Sequence, residues 1–142
     1  MKGMATKYAG LLILTVATAC AQSLESPVYL EQFRNLKVSV ERITNDVFER
    51  NIRRDSQDST ASRVFALQKL VHRLHEEAGG ADLASRQRGG RPDKRLLLVQ
   101  QGCMAMDYLL QALSSFIDTD DRVFLSLAAD GKQAVTAITK VL

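Results

Sequence analysis

Val71-His72-Arg73-Leu74-His75-Glu76 is the stretch of this chain whose side chains come nearest to a reactive site. On a helix, offsets of three and four residues share one side, so His72, His75 and Glu76 offer two imidazoles and a carboxylate to one neighbourhood. That is the beginning of a zinc or copper site. A closed tetrahedral site needs another ligand or two, and the chain has only two histidines. Completion therefore falls to carboxylates, Cys103 or a methionine. The plainer role of the same residues is a solvated helix end, where a histidine near the C-terminus also interacts favourably with the helix dipole.

Cys103-Met104-Ala105-Met106 offers a second set of soft ligands, thiolate and thioether, of the kind that suits copper or haem. However, Cys103 and Met106 fall on a regular apolar seam, where both residue types pack as core. The chain lacks a Cys-x-x-Cys-His haem attachment sequence, and the expectation is a protein without a cofactor. Hydrolytic chemistry has no better support. There is no Gly-x-Ser-x-Gly elbow, no His-Glu-x-x-His and no phosphate-binding Gly-x-x-x-x-Gly-Lys. Asp120-Asp121 stands beside an expected helix start, where capping accounts for it. The chain reads as a non-enzyme.

Charge is concentrated between Ser85 and Arg95, where Arg86, Arg88, Arg91, Lys94 and Arg95 face a single acid, Asp93. Gly89-Gly90 gives this connection freedom. Such a loop suits phospholipid head groups, anionic glycans or an acidic protein partner, or serves only as a solubilising loop.

At the other extreme, Leu11 to Gln22 forms an apolar run of small residues ending near Cys20, preceded by Lys2 and Lys7 and by no acidic residue. A basic stretch, a short apolar stretch and small residues before a cut site compose a secretory leader. The strongly apolar part, Ala9 to Ala17, is shorter than the roughly 20 residues of a spanning helix. Ala17-Thr18-Ala19-Cys20 resembles the lipobox of bacterial lipoproteins, with Ala17 where that family most often has Leu. The resemblance covers the first 21 residues alone. It implies that Cys20 is acylated and becomes the mature N-terminus and, in an organism with an outer membrane, that Ala21 in place of aspartate directs the protein to the periplasmic face of that membrane. The alternatives are ordinary cleavage after Ala19 or Ala21, which leaves no lipid, and an uncleaved spanning anchor, which still exports the rest of the chain because Lys2 and Lys7 hold the N-terminus inside.

Loss of the leader also changes the charge. The chain carries 19 Lys plus Arg and 16 Asp plus Glu, and removing Lys2 and Lys7 leaves 17 basic residues. The sequence pI of about 9.0 therefore overstates the basicity of the mature domain. With almost no net charge, no Trp and 6% aromatic residues, nucleic acid is not an expected partner.

The elements that must position these residues are helices. Ser26-Pro27 reads as a helix start, after which Tyr29, Phe33, Leu36, Val40, Ile43 and Val47 recur at spacings of three and four. A second helix, capped by Ser59 or Thr60, has the seam Val64, Leu67, Val71, Leu74 and Ala78 and is expected to end at Gly79-Gly80. The third runs through Leu96, Val99, Cys103, Met106, Leu110, Leu113 and Ile117, with Pro92 in its first turn. Asp118 to Asp121 closes it and opens a fourth, in which Phe124, Leu127 and Ala128 share a face. Asp130-Gly131 is expected to break this last helix, or else to turn a hairpin between Val123-Phe124-Leu125 and Ala134-Val135-Thr136.

The expectation is thus all-α: a signal peptide over 1–19, a tether over 20–25, and an up-and-down bundle of about four helices over 26–142. Functionally it reads as a small exported lipoprotein held on the envelope by its N-terminal lipid, with another envelope protein as partner. It would act as an assembly subunit, an inhibitor or an immunity or exclusion factor. The other reading is a periplasmic bundle that binds a small ligand or a transition metal through His72, His75 and Glu76.

Overall fold

The computed structural model describes the backbone of residues 5–49 and 57–142, and side chains from Ser26 onward. Four helices follow in order: α1 Ala5–Phe48, α2 Gln57–Gln87, α3 Lys94–Thr119 and α4 Val123–Val141. Among the described residues there is no strand, and the helices pack as an up-and-down bundle. The leader boundary, the tether and Cys20 lie outside the described side chains.

Burial follows the three-four seams. All seven seam residues of α3 are buried, as are Phe33, Val40, Ile43 and Val47 of α1 and Val64, Val71, Leu74 and Ala78 of α2. Tyr29, Leu36 and Leu67 are partly buried against them. Each large side chain so removed from water contributes about 1.5–3 kcal/mol. α3 is the central helix: it packs along both α2 and α4 and against α1, whereas α1 barely meets α4. Two exposed polar contacts join α1 to its neighbours. Asp46 pairs with Arg63 at 3.4 Å, and Lys132 Nζ donates to Asn45 Oδ1 at 3.1 Å.

Helix boundaries depart from the sequence expectation at five places. α1 runs through Pro27, and the buried Ser26 hydroxyl has no hydrogen-bond partner among the described residues, so it caps nothing. A proline removes one helical N–H, and the inward seam that follows is long enough to carry the helix past it. α2 has already begun at Gln57, ahead of Ser59 and Thr60, with the Gln57 amide donating to the Ile117 carbonyl at 2.7 Å. That bond satisfies one of the open carbonyls at the end of α3.

The same helix passes through Gly79-Gly80 and stops at the next glycine pair. Gly89 has φ 79°, and its N–H donates to Arg86 O while that of Gly90 donates to Ser85 O, each at 2.9 Å. This is the Schellman closure of a helix, which needs a residue in the left-handed region. Asp82 explains why the earlier pair does not stop it. Its carboxylate is buried, pairs with Arg86 Nε at 2.9 Å and accepts from Asp93 N–H at 3.4 Å.

Pro92 lies just outside α3, and Asp93 is the cap, its carboxylate accepting Arg95 N–H at 2.8 Å. Asp120 ends α3 in the left-handed conformation, φ 57°, and Asp121 accepts Val123 N–H at 3.0 Å at the start of α4. α4 is then continuous, neither broken nor a hairpin at Asp130-Gly131. Gly131 is buried because α3 crosses there: a Cβ on it would lie 2.9 Å from Leu109 Cβ.

Candidate functional site

The imidazole pair of α2 does not close into a ligand set. His72 Nε2 lies 2.9 Å from Asp107 Oδ1 on α3, and Asp107 Oδ2 accepts from Gln111 Nε2 at 2.7 Å. Asp107 is therefore committed on both oxygens. His72 itself is 62% exposed, so the pair ties two neighbouring helices at the surface, an interaction of modest strength. The side chains of His75 and Glu76 enter no ion pair or hydrogen bond among the described residues. No group of three or more His, Cys, Asp or Glu side chains among those residues is placed to hold a metal ion.

Cys103 and Met106 lie where the seam puts them, 1% and 0% exposed. Burial pushes the Cys103 thiol up from 9.0 to about 12. An apolar surrounding disfavours the thiolate, and the thiol is the form that neither attacks nor ligates well. Cys103 is a free cysteine acting as a small apolar residue.

The basic stretch divides into two parts. Arg86 belongs to α2 and is held by Asp82, and Arg88 Nε donates back to the Ala84 carbonyl at 3.2 Å. Arg91, Lys94 and Arg95 are exposed and enter no ion pair among the described residues. Asp82 and Asp93, which staple the connection together, turn their carboxylates onto backbone N–H groups. The connection is thus a shaped cap on one end of the bundle rather than a free loop, with Arg91, Lys94 and Arg95 exposed on it.

One feature of the surface was not anticipated from the sequence. Leu97, Met104 and Tyr108 of α3 are 36%, 56% and 46% exposed, and spacings of seven and four put them on one outward stripe. Phe65 of α2 is also exposed, but Lys69 Nζ covers its ring at 4.5 Å from the centroid. The signal was present in the sequence as a second apolar period on α3, out of phase with the seam. An open groove of ≈ 450 Å3 between α1 and α2 is walled by Leu36, Leu70 and Leu74. The Arg73–Glu77 pair at its edge, 2.9 Å apart, satisfies itself.

Compared with described protein families, characterised proteins and solved structures, the chain matches none. What defines it is an all-α bundle with a central helix that is apolar on its inner face and, at three positions, on its outer face too.

Proposed function

We propose that this chain is a small envelope lipoprotein, exported by its leader, held at the membrane through Cys20, whose bundle docks another envelope protein. The outward stripe Leu97, Met104 and Tyr108 carries this reading. A core helix gains nothing from apolar side chains facing water, and apolar groups aligned on an outer face mark interaction surfaces. Aromatic and methionine side chains are enriched at such surfaces. Support for the anchor comes from Ala17-Thr18-Ala19-Cys20 and the basic leader before it. Several acyl chains at about 0.8 kcal/mol per buried methylene hold a protein durably where one chain does not. With Ala21 following the cysteine, the resemblance favours the periplasmic face of an outer membrane.

Two measurements test the reading. Cys20→Ala should leave the protein unprocessed or mislocalised and without incorporated palmitate, and an intact mass with unmodified Cys20 would remove the anchor. A photo-crosslinking residue at Met104 should form one specific adduct with another envelope protein in intact cells, absent when the probe sits at the exposed Gln133 of α4. Equal labelling from both positions, or none from Met104, would remove the docking role.

A further inference from the structure

We infer that the α2–α3 end of the bundle, through Arg91, Lys94 and Arg95, rests on the anionic phospholipid surface in which the protein is anchored. This rests on the proposed acylation of Cys20. The placement comes from helix register. The Phe33 ring of α1 fills the space beside Gly102 of α3, so these residues lie at one level, and α1 and α3 run in the same direction. At about 1.5 Å per residue, Ser26 lies roughly 10 Å from that level, and Arg95 and Lys94 lie roughly 10–12 Å from it on the same side. Arg91 belongs to the connection that leads into α3 at this end. The three free cations therefore share the bundle end from which the chain leaves toward Cys20.

The tether is too short to undo this. Five residues lie between Cys20 and Ser26, and the six residue steps span about 9 Å if helical and at most roughly 20 Å if fully extended. An acylated Cys20 sits at the membrane interface, so this end is held within a few Debye lengths of the head groups, each about 8 Å at physiological salt. Of the nearby acids, Asp82 is buried against Arg86, and Asp93, which caps α3 through the Arg95 N–H, keeps its charge, so three cations stand against one carboxylate and the end stays basic. Glu25 is the one acid of the tether. At the opposite end, the α3–α4 turn carries Asp118, Asp120 and Asp121 against Arg122. The proposed anchor at Cys20 lies at the other end. Each cation near an anionic surface adds about fivefold to association. Docking so oriented would stand the bundle on its end and leave the α3 stripe facing sideways, open to a partner.

The test uses the full chain purified from membranes and reconstituted in vesicles of phosphatidylcholine alone or with a third of phosphatidylglycerol. Backbone amide exchange of residues 87–95 should slow severalfold in the anionic vesicles, while residues 116–123 at the far turn exchange equally in both. The difference should vanish at about 0.5 M salt, where the Debye length is near 4 Å, and in the triple variant Arg91→Gln/Lys94→Gln/Arg95→Gln. Equal exchange of 87–95 in the two vesicles, or slowing at the far turn instead, overturns the proposal. Intact mass of the same samples reports the anchor separately. Acylated Cys20 without slowing refutes the docking alone, and slowing with an unmodified Cys20 refutes the anchor alone.

Discussion

Phe33 occupies the place of a side chain that Gly102 does not have. A Cβ on Gly102 would overlap Phe33 Cε2 and Cζ, and the ring is wholly buried, so it has no open direction in which to give way. Gly102→Ala gains about 1 kcal/mol of helix propensity against an overpacking cost of about 1–3 kcal/mol. The expected net is a loss of up to about 2 kcal/mol in urea melts. In the Gly102→Ala background, Phe33→Leu should cost less than it does alone, with a coupling of at least about 0.5 kcal/mol. Strict additivity would mean that α1 and α3 do not meet at this pair.

Glycines in helices are expected to divide by what lies above them. A Cβ added at Gly80 in α2 would have nothing within 4 Å, whereas one on Gly131 would lie 2.9 Å from Leu109 Cβ and 3.0 Å from Leu109 Cα. Gly80→Ala should raise stability by about 0.5–1 kcal/mol, the ordinary helix-interior gain. Gly131→Ala should lower it by up to about 2 kcal/mol, the overpacking cost of about 1–3 less the same helix gain, because backbone at Leu109 cannot move aside as a flexible side chain would. Thermal melts showing a rise for both substitutions would remove the α3–α4 crossing from this position.

These glycines also mark where the sequence stopped being legible. Seams are local and strictly periodic, so Leu96 through Ile117 could be assigned to a buried face before any fold was known. Whether a glycine ends a helix depends on what the following residues find. Gly79-Gly80 is followed by Asp82, which finds Arg86 and the Asp93 N–H, and Gly131 finds Leu109 on another helix. His72 was readable as a candidate ligand, but its partner Asp107 is 35 residues away. Of the basic stretch, the residue types were plain, and which cations are free was not, since Arg86 and Arg88 are taken by Asp82 and Ala84.

Cys103 gives a pH dependence of known sign. Its thiol is pushed up by burial to about 12 in the folded chain from 9.0, so the unfolded chain loses this proton first. Stability from this source is complete below about pH 9 and declines as pH rises toward about 12. Tyrosines and lysines titrate in the same range, so the wild type is compared with Cys103→Ala. Between pH about 8 and about 10.5, the urea midpoint of wild type should fall further than that of the variant. A thiol reagent at pH about 8 should label Cys103 only after denaturation. Rapid labelling of the native protein would place the thiol at the surface.

Met106 separates packing from ligation. Its side chain is fully buried in line with five aliphatic residues and Cys103 of the same helix, in a position where shape and volume are what matter. Met106→Leu nearly conserves volume and should cost less than about 1.5 kcal/mol, whereas Met106→Ala leaves a cavity and should cost about 2–5 kcal/mol. At Cys103 the corresponding contrast is Ala against Asp. Cys103→Ala removes a small buried group, while Cys103→Asp forces a carboxylate into the seam of Val99, Met106 and Leu110 with no partner to receive it, and should be far worse. Urea melts of the full chain decide it. The ordering Cys103→Asp below Met106→Ala below Met106→Leu is expected because α3 packs against all three other helices, so an error there is felt by the whole bundle. Indifference to both Met106→Ala and Cys103→Asp would place this face in solvent and rotate α3 away from its central position, which would also turn Leu97, Met104 and Tyr108 inward and remove the docking stripe.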